Sequence, residues 1–299
     1  MKKFILRILA FLIPALLVLA FAEAYVRALP NTYKYKEQWM WQNGSSVCTL
    51  LLGNSHAYYD LVPSAIGDSI FNLGNASQRF EHDFFLLRRY AEACPNLKTV
   101  VQVADNSNLF DVPMEDEEPG RVVYYQLYMG YQKHSSFSRY GFELSSMNSF
   151  WGKIQKCFDD DALDCDSLGW GRNYRAELRN PDDFLPERLR EHLYHDSVSL
   201  RWNCTQLNAI AEYCSVHNLR LVVLMPPVSH GYTQKAAPWQ LELVRQVACG
   251  MQKKYGACVA DYSQDSRFTD EDFFDSDHLN DQGAKKFSEI LGKELFGKQ

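Results

Sequence analysis

Two short polar segments, near the two ends of the chain, carry the residue types of a nucleophilic serine site. The first reads Gly-Asn-Ser-His at 53–56 and follows the apolar run 47–52. The second reads Asp-Ser-Asp-His at 275–278 and precedes the last helix-like stretch. A serine hydroxyl becomes an effective nucleophile when a base takes its proton and a carboxylate holds that base in the right tautomer. The pattern therefore predicts acyl-transfer chemistry, with Ser55 as nucleophile, His278 as base and Asp275 as the orienting acid.

Each half of this pattern also has a plain structural interpretation. Serine is a frequent N-cap, so Ser55 on its own could do no more than open a helix. Asp275 and His278 could lie in a solvated acidic loop. A metal site built from these two residues with Asp277 and His56 is chemically conceivable. The sequence has no Cys-x-x-Cys pair and no familiar Cys/His ligand spacing, which argues against a structural zinc site. The two-step acyl transfer itself requires no metal or organic cofactor.

Five short apolar runs, bounded by turn residues, are the predicted strands, at 47–52, 69–73, 99–104, 220–225 and 258–261. Continuous apolar strands are typical of a parallel sheet that is covered on both faces. Between them lie stretches with apolar residues at helical spacing, such as 80–91 and 200–214. The alternation predicts an α/β fold, a three-layer α/β/α sandwich around a parallel sheet.

The stretch 107–198 interrupts this alternation, because it separates the third and fourth predicted strands by far more than an ordinary connection. It is rich in tyrosine, phenylalanine and tryptophan. An insertion after a strand's carboxyl end lies near the edge where open α/β sheets bind ligands, so it could shape a groove for sugar rings. Alternatively, its aromatic residues pack the core of a small helical subdomain.

The N-terminus predicts a membrane segment at 1–22. Lys2, Lys3 and Arg7 precede a long apolar run that is interrupted only by Pro14. Its length is about that of a membrane helix, and the basic flank favours a cytoplasmic N-terminus with the rest of the chain outside the cytoplasm. We favour an uncleaved anchor over a cleaved signal peptide because the apolar run is long. The polar, aromatic-bearing stretch 23–46 is the predicted tether, and 47–299 the predicted globular domain.

Charge and cysteine content limit the class of protein further. The net charge of −6 argues against a nucleic-acid partner, since phosphate binding needs a basic face. Eight cysteines fit an exported protein in an oxidising compartment. Their spacing makes Cys157 with Cys165, and Cys249 with Cys258, the two local disulfide pairs to test first.

With its serine block after strand one and its Asp-x-x-His block before the last helix, the chain resembles the SGNH/GDSL hydrolase superfamily. The run 274–283, Phe-Asp-Ser-Asp-His-Leu-Asn-Asp-Gln-Gly, looks particularly like the terminal block of envelope members of the DltD type and of alginate or peptidoglycan O-acetylation proteins. The resemblance implies an SGNH-hydrolase-like, flavodoxin-like sandwich. It also implies oxyanion donors in the second and third blocks, here Gly74, Asn75, Ser77 and Asn106.

The chain departs from the family pattern at two places. The first block has Asn54 where the family has Asp, and the family's Gly-x-Asn-Asp third block is missing. Asp105 and Asn106 follow strand three instead, which makes Asn106 the candidate side-chain donor and Asn75 its rival. Ser77 stands at the position where the second block would have glycine.

The resemblance and the predicted location together lead to one expected function and one rival. The expectation is a membrane-anchored serine esterase or O-acyltransferase on the periplasmic side of the inner membrane, which acts on an acylated envelope saccharide or lipid-linked glycan. The rival is a catalytically silent accessory protein that binds glycan or a membrane acyltransferase partner. A lipase would need an apolar acyl channel, which the sequence does not reveal.

Overall fold

The computed structural model describes residues 2–146, 153–155, 163–179 and 197–297. The helices in this part of the chain are α1 (Lys2–Ala28), α2 (Thr32–Asn43), α3 (Ser55–Asp60), α4 (Pro63–Ile66), α5 (Phe80–Tyr90), α6 (Asn106–Phe110), α7 (Met114–Glu117), α8 (Pro119–Tyr128), α9 (Ser197–Val216), α10 (His230–Lys235), α11 (Pro238–Tyr255) and α12 (Asp281–Phe296). The strands are β1 (Thr49–Leu52), β2 (Ile70–Asn72), β3 (Thr99–Val103), β4 (Arg220–Met225) and β5 (Cys258–Asp261).

The strands form one parallel sheet in the order β2-β1-β3-β4-β5, so the predicted α/β sandwich is confirmed. From β1 the chain moves outward to β2, then returns past β1 to β3 on its other side. The carboxyl ends of β1 and β3 therefore lie side by side where the direction of winding reverses. Such a switch point leaves a crevice at the strand ends, which is where open α/β sheets bind ligands.

Alternating strand residues explain how helices cover both faces of the sheet. One face contributes Leu51, Val101 and Val222 to a buried cluster with side chains of α3, α4 and α12, including Phe287 and Leu291. The opposite face carries the intervening residues, and on that side α9 packs against β4 and α5. All four β1 residues are buried, as expected for a central strand.

The chain divides into two compact units, one made of 1–37 with 118–163 and the other of 38–117 with 164–299. In the first unit, α1 contains the stretch Ala10–Ala28, which has a mean hydropathy of 1.8 and is long and apolar enough to cross a membrane. Near its end, the Glu23 carboxylate accepts hydrogen bonds from the backbone N–H groups of Glu143 and Leu144. The sheet and every predicted site residue belong to the second unit.

The cysteine prediction is wrong for one pair. Cys249 and Cys258 are both free thiols, as are the other five cysteines that the structure describes. Cys249 is exposed on α11, whereas Cys258 begins β5, and no sulfur–sulfur bond joins them. Cys165 is free and buried, and its predicted partner Cys157 lies outside the described residues.

Candidate active site

The turn between β1 and α3 presents Ser55 at the carboxyl edge of the sheet. Gly53 has φ +139, a backbone conformation that side chains rarely adopt, and a Cβ there would lie 2.8 Å from the Cβ of Val103. Asn54 is the N-cap of α3, and its side-chain oxygen accepts the N–H of His56. Ser55 is thus the first residue of the helix, not its cap, which leaves its hydroxyl available for another partner.

A buried carboxylate holds this turn from the opposite face of the sheet. Asp83 on α5 is fully buried and accepts a hydrogen bond from the backbone of Gly53. Its two oxygens also accept the side-chain amides of Gln78 and Gln102, at 2.5 and 2.8 Å. Burial raises the pKa of Asp83 to about 7, despite these hydrogen bonds.

The second polar segment forms a tight loop just before α12. Asp275 Oδ1 accepts the backbone N–H groups of Asp277 and His278, at 3.1 and 2.8 Å. The N–H of Phe274 donates to the carbonyl of His278 at 2.8 Å and closes the loop. Asn280 caps α12 by accepting two backbone N–H groups, so the helix begins immediately after the loop. The loop is therefore held by its own backbone, which fixes where His278 points.

These two segments bring Ser55, His278 and Asp275 together. Ser55 Oγ lies 2.7 Å from His278 Nε2. His278 Nδ1 lies 3.0 and 3.1 Å from the two carboxylate oxygens of Asp275. His278 is 2% exposed and Asp275 5% exposed, whereas Ser55 is partly accessible. A hydroxyl, an imidazole and a carboxylate in this order can pass a proton from Ser55 to His278 while the carboxylate stabilises the resulting cation.

A second histidine lies against the first. The rings of His56 and His278 stack with their centroids 4.5 Å apart and their planes 21° apart. His56 Nδ1 lies 2.9 Å from Asp60, and its Nε2 lies 3.7 Å from Asp277 and 4.0 Å from Asp105. Asp60 also accepts the backbone N–H of Leu279, so the same carboxylate contacts His56 and the loop that carries His278.

The buried carboxylates shift the pKa of both imidazoles. Burial lowers the pKa of His56, but Asp105, Asp60 and Asp277 outweigh it and raise the value to about 10. Burial also lowers the pKa of His278, and Asp275 and Asp277 again outweigh it, so the pKa rises. The His56 cation acts on His278 in the opposite direction and lowers its pKa. At neutral pH, His56 is therefore an imidazolium.

The same residues have the spacing of a metal site. Ligand atoms of His56, Asp277 and His278 lie within 4.8 Å of one another. A histidine that ligates a metal must be neutral and must offer a free nitrogen lone pair. His56 is protonated at neutral pH, and both nitrogens of His278 already contact Ser55 and Asp275. The donor chemistry of this cluster therefore suits proton transfer better than metal binding.

Two of the four predicted oxyanion donors hold the turn after β2. The backbone N–H of Gly74 donates to the side chain of Asn72 at 2.9 Å. The backbone N–H of Asn75 donates to the carbonyl of Gly53, and its side-chain amide donates to Leu73 and Gln78. These groups of Gly74 and Asn75 therefore have partners within the protein, and their predicted oxyanion roles stay predictions.

The oxyanion roles of Ser77 and Asn106 stay predictions. Ser77 has φ +59, in the left-handed region that favours glycine, which matches its place where the family has glycine. Asn106 is the first residue of α6, directly after β3, and its amide nitrogen lies 3.3 Å from the Tyr232 hydroxyl. Its neighbour Asp105 is the N-cap of α6 and accepts the side-chain amide of Asn54 at 3.0 Å.

Aromatic rings line the side of His278 that faces the insertion. Tyr59, Tyr174 and Phe274 form a continuous stack, with ring centroids 3.9 and 4.3 Å apart. Tyr174 meets His278 edge-on at 5.2 Å. The carbonyl of Tyr174, within the stretch 107–198, accepts the backbone N–H of Asp281 at the start of α12. Part of the insertion therefore lies directly beside the relay, as we call the three residues Ser55, His278 and Asp275.

A small, mostly apolar pocket lies at the carboxyl ends of β3 and β4. Its lining consists of Met225, Pro226, Val228, Tyr232, Leu241 and Val244, with the polar residues His56, Asp105, Asn106, Ser107, Arg245 and Ser263. The pocket encloses about 30 Å³. Because roughly 10–15 Å³ of such space holds one water molecule, the pocket fits a group of about two heavy atoms.

Sequence reasoning missed Asp60, Tyr174 and the part played by His56. His56 and Asp60 are four residues apart on α3, the spacing of side-chain neighbours on a helix, so this contact had a local signal. Tyr174 had none, because its contact with the stack depends on the path of a long insertion.

Comparison with known proteins gives likeness of fold only. No family model matches the chain, and no curated protein matches it. Among solved structures, a lipase/acylhydrolase from Enterococcus faecalis is 11% identical with a TM-score of 0.39, and the match covers 84% of this chain and 98% of that one. A protein from Streptococcus pneumonia, whose description names platelet activating factor, is 12% identical with a TM-score of 0.42, covering 96% and 98%. Likeness at this level carries no argument on activity, which must come from the site.

Proposed function

We propose that the protein is a serine esterase or O-acyltransferase. The observation that carries this proposal is the contact of Ser55 Oγ with His278 Nε2 at 2.7 Å, together with the contact of His278 Nδ1 with Asp275. A serine that merely capped a helix would not need a buried imidazole at hydrogen-bond distance. A histidine in a solvated loop would not be 2% exposed.

The reaction proceeds in two steps. Ser55 gives its proton to His278 Nε2 as its oxygen bonds to the ester carbonyl carbon, and the carbonyl electrons move onto the oxygen. Ser77, Asn106 and the N–H of Ser55 at the start of α3 are the candidate donors for that oxyanion. The intermediate then expels the alcohol, which takes the proton from His278. Water or a sugar hydroxyl attacks the acyl-serine by the same route in reverse.

The pocket beside Asn106 supports a short acyl group. Its apolar lining suits a hydrocarbon group, and its volume of about 30 Å³ has room for the methyl of an acetyl group. On the other side of His278, the stack of Tyr59, Tyr174 and Phe274 offers the kind of aromatic surface on which sugar rings pack. An acetylated saccharide therefore fits both sides of the relay.

The N-terminal helix supports a membrane-bound location. The stretch Ala10–Ala28 has the length and hydropathy of a single span, and Lys2, Lys3 and Arg7 precede it. Positive charge before a span favours a cytoplasmic N-terminus, and with that orientation the globular part would lie in the periplasm, beside envelope glycans. A membrane acyltransferase that supplies the acyl group is the partner this location suggests.

The proposal is tested by labelling the full chain in detergent with a fluorophosphonate probe, followed by peptide mapping. We expect the phosphonyl group on Ser55, together with hydrolysis of p-nitrophenyl acetate, because the probe reacts with a serine that a base activates. A folded sample that neither reacts with the probe nor hydrolyses the acetate would overturn the proposal. That result would favour the silent accessory protein.

The pocket makes a further prediction about acyl-chain length. We expect Val244→Ala to raise the rate on p-nitrophenyl butyrate relative to the acetate by about tenfold or more, because butyrate has two extra methylenes and even one in an apolar pocket is worth roughly tenfold. Val222→Ala is the matched control, since Val222 is equally buried but does not line the pocket. Its butyrate-to-acetate ratio should equal that of wild type. An equal change of this ratio in both variants would mean that the pocket does not bind the acyl group.

A further inference from the structure

The second histidine, His56, has no step in the reaction described above. It is 2% exposed and does not contact Ser55 through its ring, yet it is the residue that follows the nucleophile. Its ring covers one face of His278 at 4.5 Å. Burial of a second titratable ring against the base needs an explanation, because a neutral apolar side chain would fill the same space without the desolvation cost.

The groups around His56 keep it charged. Asp60 lies on its own helix, Asp105 lies at the start of α6, and Asp277 lies in the loop that carries His278. Tyr232 on α10 interacts with Asp105 and Asp277, and burial holds the Tyr232 hydroxyl in its neutral form by raising its pKa. Three carboxylates from three elements thus face one imidazole, and they raise its pKa to about 10.

His278, in contrast, must be neutral in order to act as a base. Asp275 and Asp277 both favour its charged form, and a base that is already protonated does not accept the serine proton. Burial works against those carboxylates and lowers the pKa of His278, and the His56 cation stacked on its face acts in the same direction. Two parallel imidazolium rings at 4.5 Å repel each other strongly in a buried site.

We infer that His56 is a positioning residue that acts through charge: it remains an imidazolium and disfavours a second positive charge on the stacked ring of His278. His56 also neutralises part of the carboxylate charge that the relay needs for orientation. The catalytic consequence rests on the proposed function, because a free base on His278 matters only if Ser55 reacts. The electrostatic coupling of the two rings does not depend on it.

The coupling is tested by NMR titration of the full chain in detergent, with histidine labelled by ¹³C at Cε1. His56→Gln and His278→Gln assign the two signals, and the exposed His217 provides a reference signal. In wild type we expect His278 to titrate while His56 stays protonated. In His56→Gln we expect the His278 midpoint to rise by at least about one pH unit, because the opposing cation is gone and the carboxylates remain.

A purely structural role predicts a different result. In that case His56→Gln would leave the His278 midpoint where it is, which would overturn the inference. If His56→Gln does not fold, wild type alone still decides, because a neutral His56 at the pH where His278 titrates would also overturn it. Asp277→Asn should shift the His278 midpoint in the opposite direction. Removing that carboxylate should lower the midpoint by about half a pH unit or more.

The rate of fluorophosphonate labelling against pH connects the coupling to reactivity. The labelling rate should rise with pH as His278 loses its proton, with a midpoint above its ordinary value, because the carboxylates raise the pKa. In His56→Gln this rising limb of the rate profile should move to higher pH, by the same amount as the His278 midpoint moves in the NMR titration. A uniform loss of rate at every pH, without movement of the limb, would contradict the catalytic part. Absence of labelling in wild type would count against the proposed function and leave the NMR result standing.

Discussion

Replacement of Ser55 by alanine is expected to reduce hydrolysis of p-nitrophenyl acetate by about 10⁴- to 10⁶-fold, in kcat. The loss is large because nothing else at the switch point supplies an oxygen at 2.7 Å from His278 Nε2 among the described contacts. The fold should persist, since the cap of α3 is Asn54 and not Ser55. Steady-state rates with matched thermal unfolding midpoints are the measurement.

Ser64→Ala is the control for this experiment. Ser64 is an exposed serine on the neighbouring α4, outside the relay, and its replacement should leave the rate unchanged. If Ser55→Ala retained more than about a tenth of the wild-type rate, the hydrolysis would have to come from another group. The assignment of Ser55 as nucleophile would then be wrong.

Asp275→Asn is expected to cost about 10³- to 10⁴-fold in kcat. Asp275 Oδ1 accepts two backbone N–H groups of its own loop, so the amide oxygen of an asparagine would take that place. The amide NH₂ group would then face His278 Nδ1, which would have to be the unprotonated nitrogen. The proton would move to Nε2, where it prevents His278 from accepting the proton of Ser55. The measurement is the pH profile of kcat, which should be low throughout.

Asp277→Asn is the matched control for this prediction. Asp277 is a buried carboxylate of the same loop, but its nearest oxygen lies 3.5 Å from His278 Nδ1, beyond a normal hydrogen bond. Its replacement should move the acid limb of the profile to lower pH while the rate at the optimum falls less than tenfold. Equal losses in the two variants would mean that Asp275 does not orient the base in the way proposed.

The order of the elements and the parallel sheet could be predicted because both leave local traces in the sequence. The apolar runs at β1, β3 and β4 lie between turn residues, and α12 has its apolar stripe. Ser55, Asp275 and His278 could be named because each lies beside such an element. The sheet order places β1 between β2 and β3, so that Ser55 follows a strand inside the sheet.

The oxyanion donors and the disulfides could not be predicted in the same way. Whether the N–H of Gly74 faces the solvent or the side chain of Asn72 depends on the backbone conformation of one turn. The same is true of Asn75, whose amide has partners within its own turn. Cys249 and Cys258 are close in sequence but form no disulfide, because Cys249 lies within α11 and Cys258 begins the next strand, β5.

The position of the relay along the chain has a consequence for biosynthesis. Ser55 and His278 are 223 residues apart, and α12, which follows the loop of His278, supplies Phe287 and Leu291 to the core. The proposed nucleophile is therefore synthesised well before the proposed base and before the helix that follows it. A chain that is still being synthesised, or one cut short before residue 275, carries an unactivated serine. On the proposed function, acyl chemistry would begin only when α12 has docked, and a molecule without α12 would not modify its surroundings.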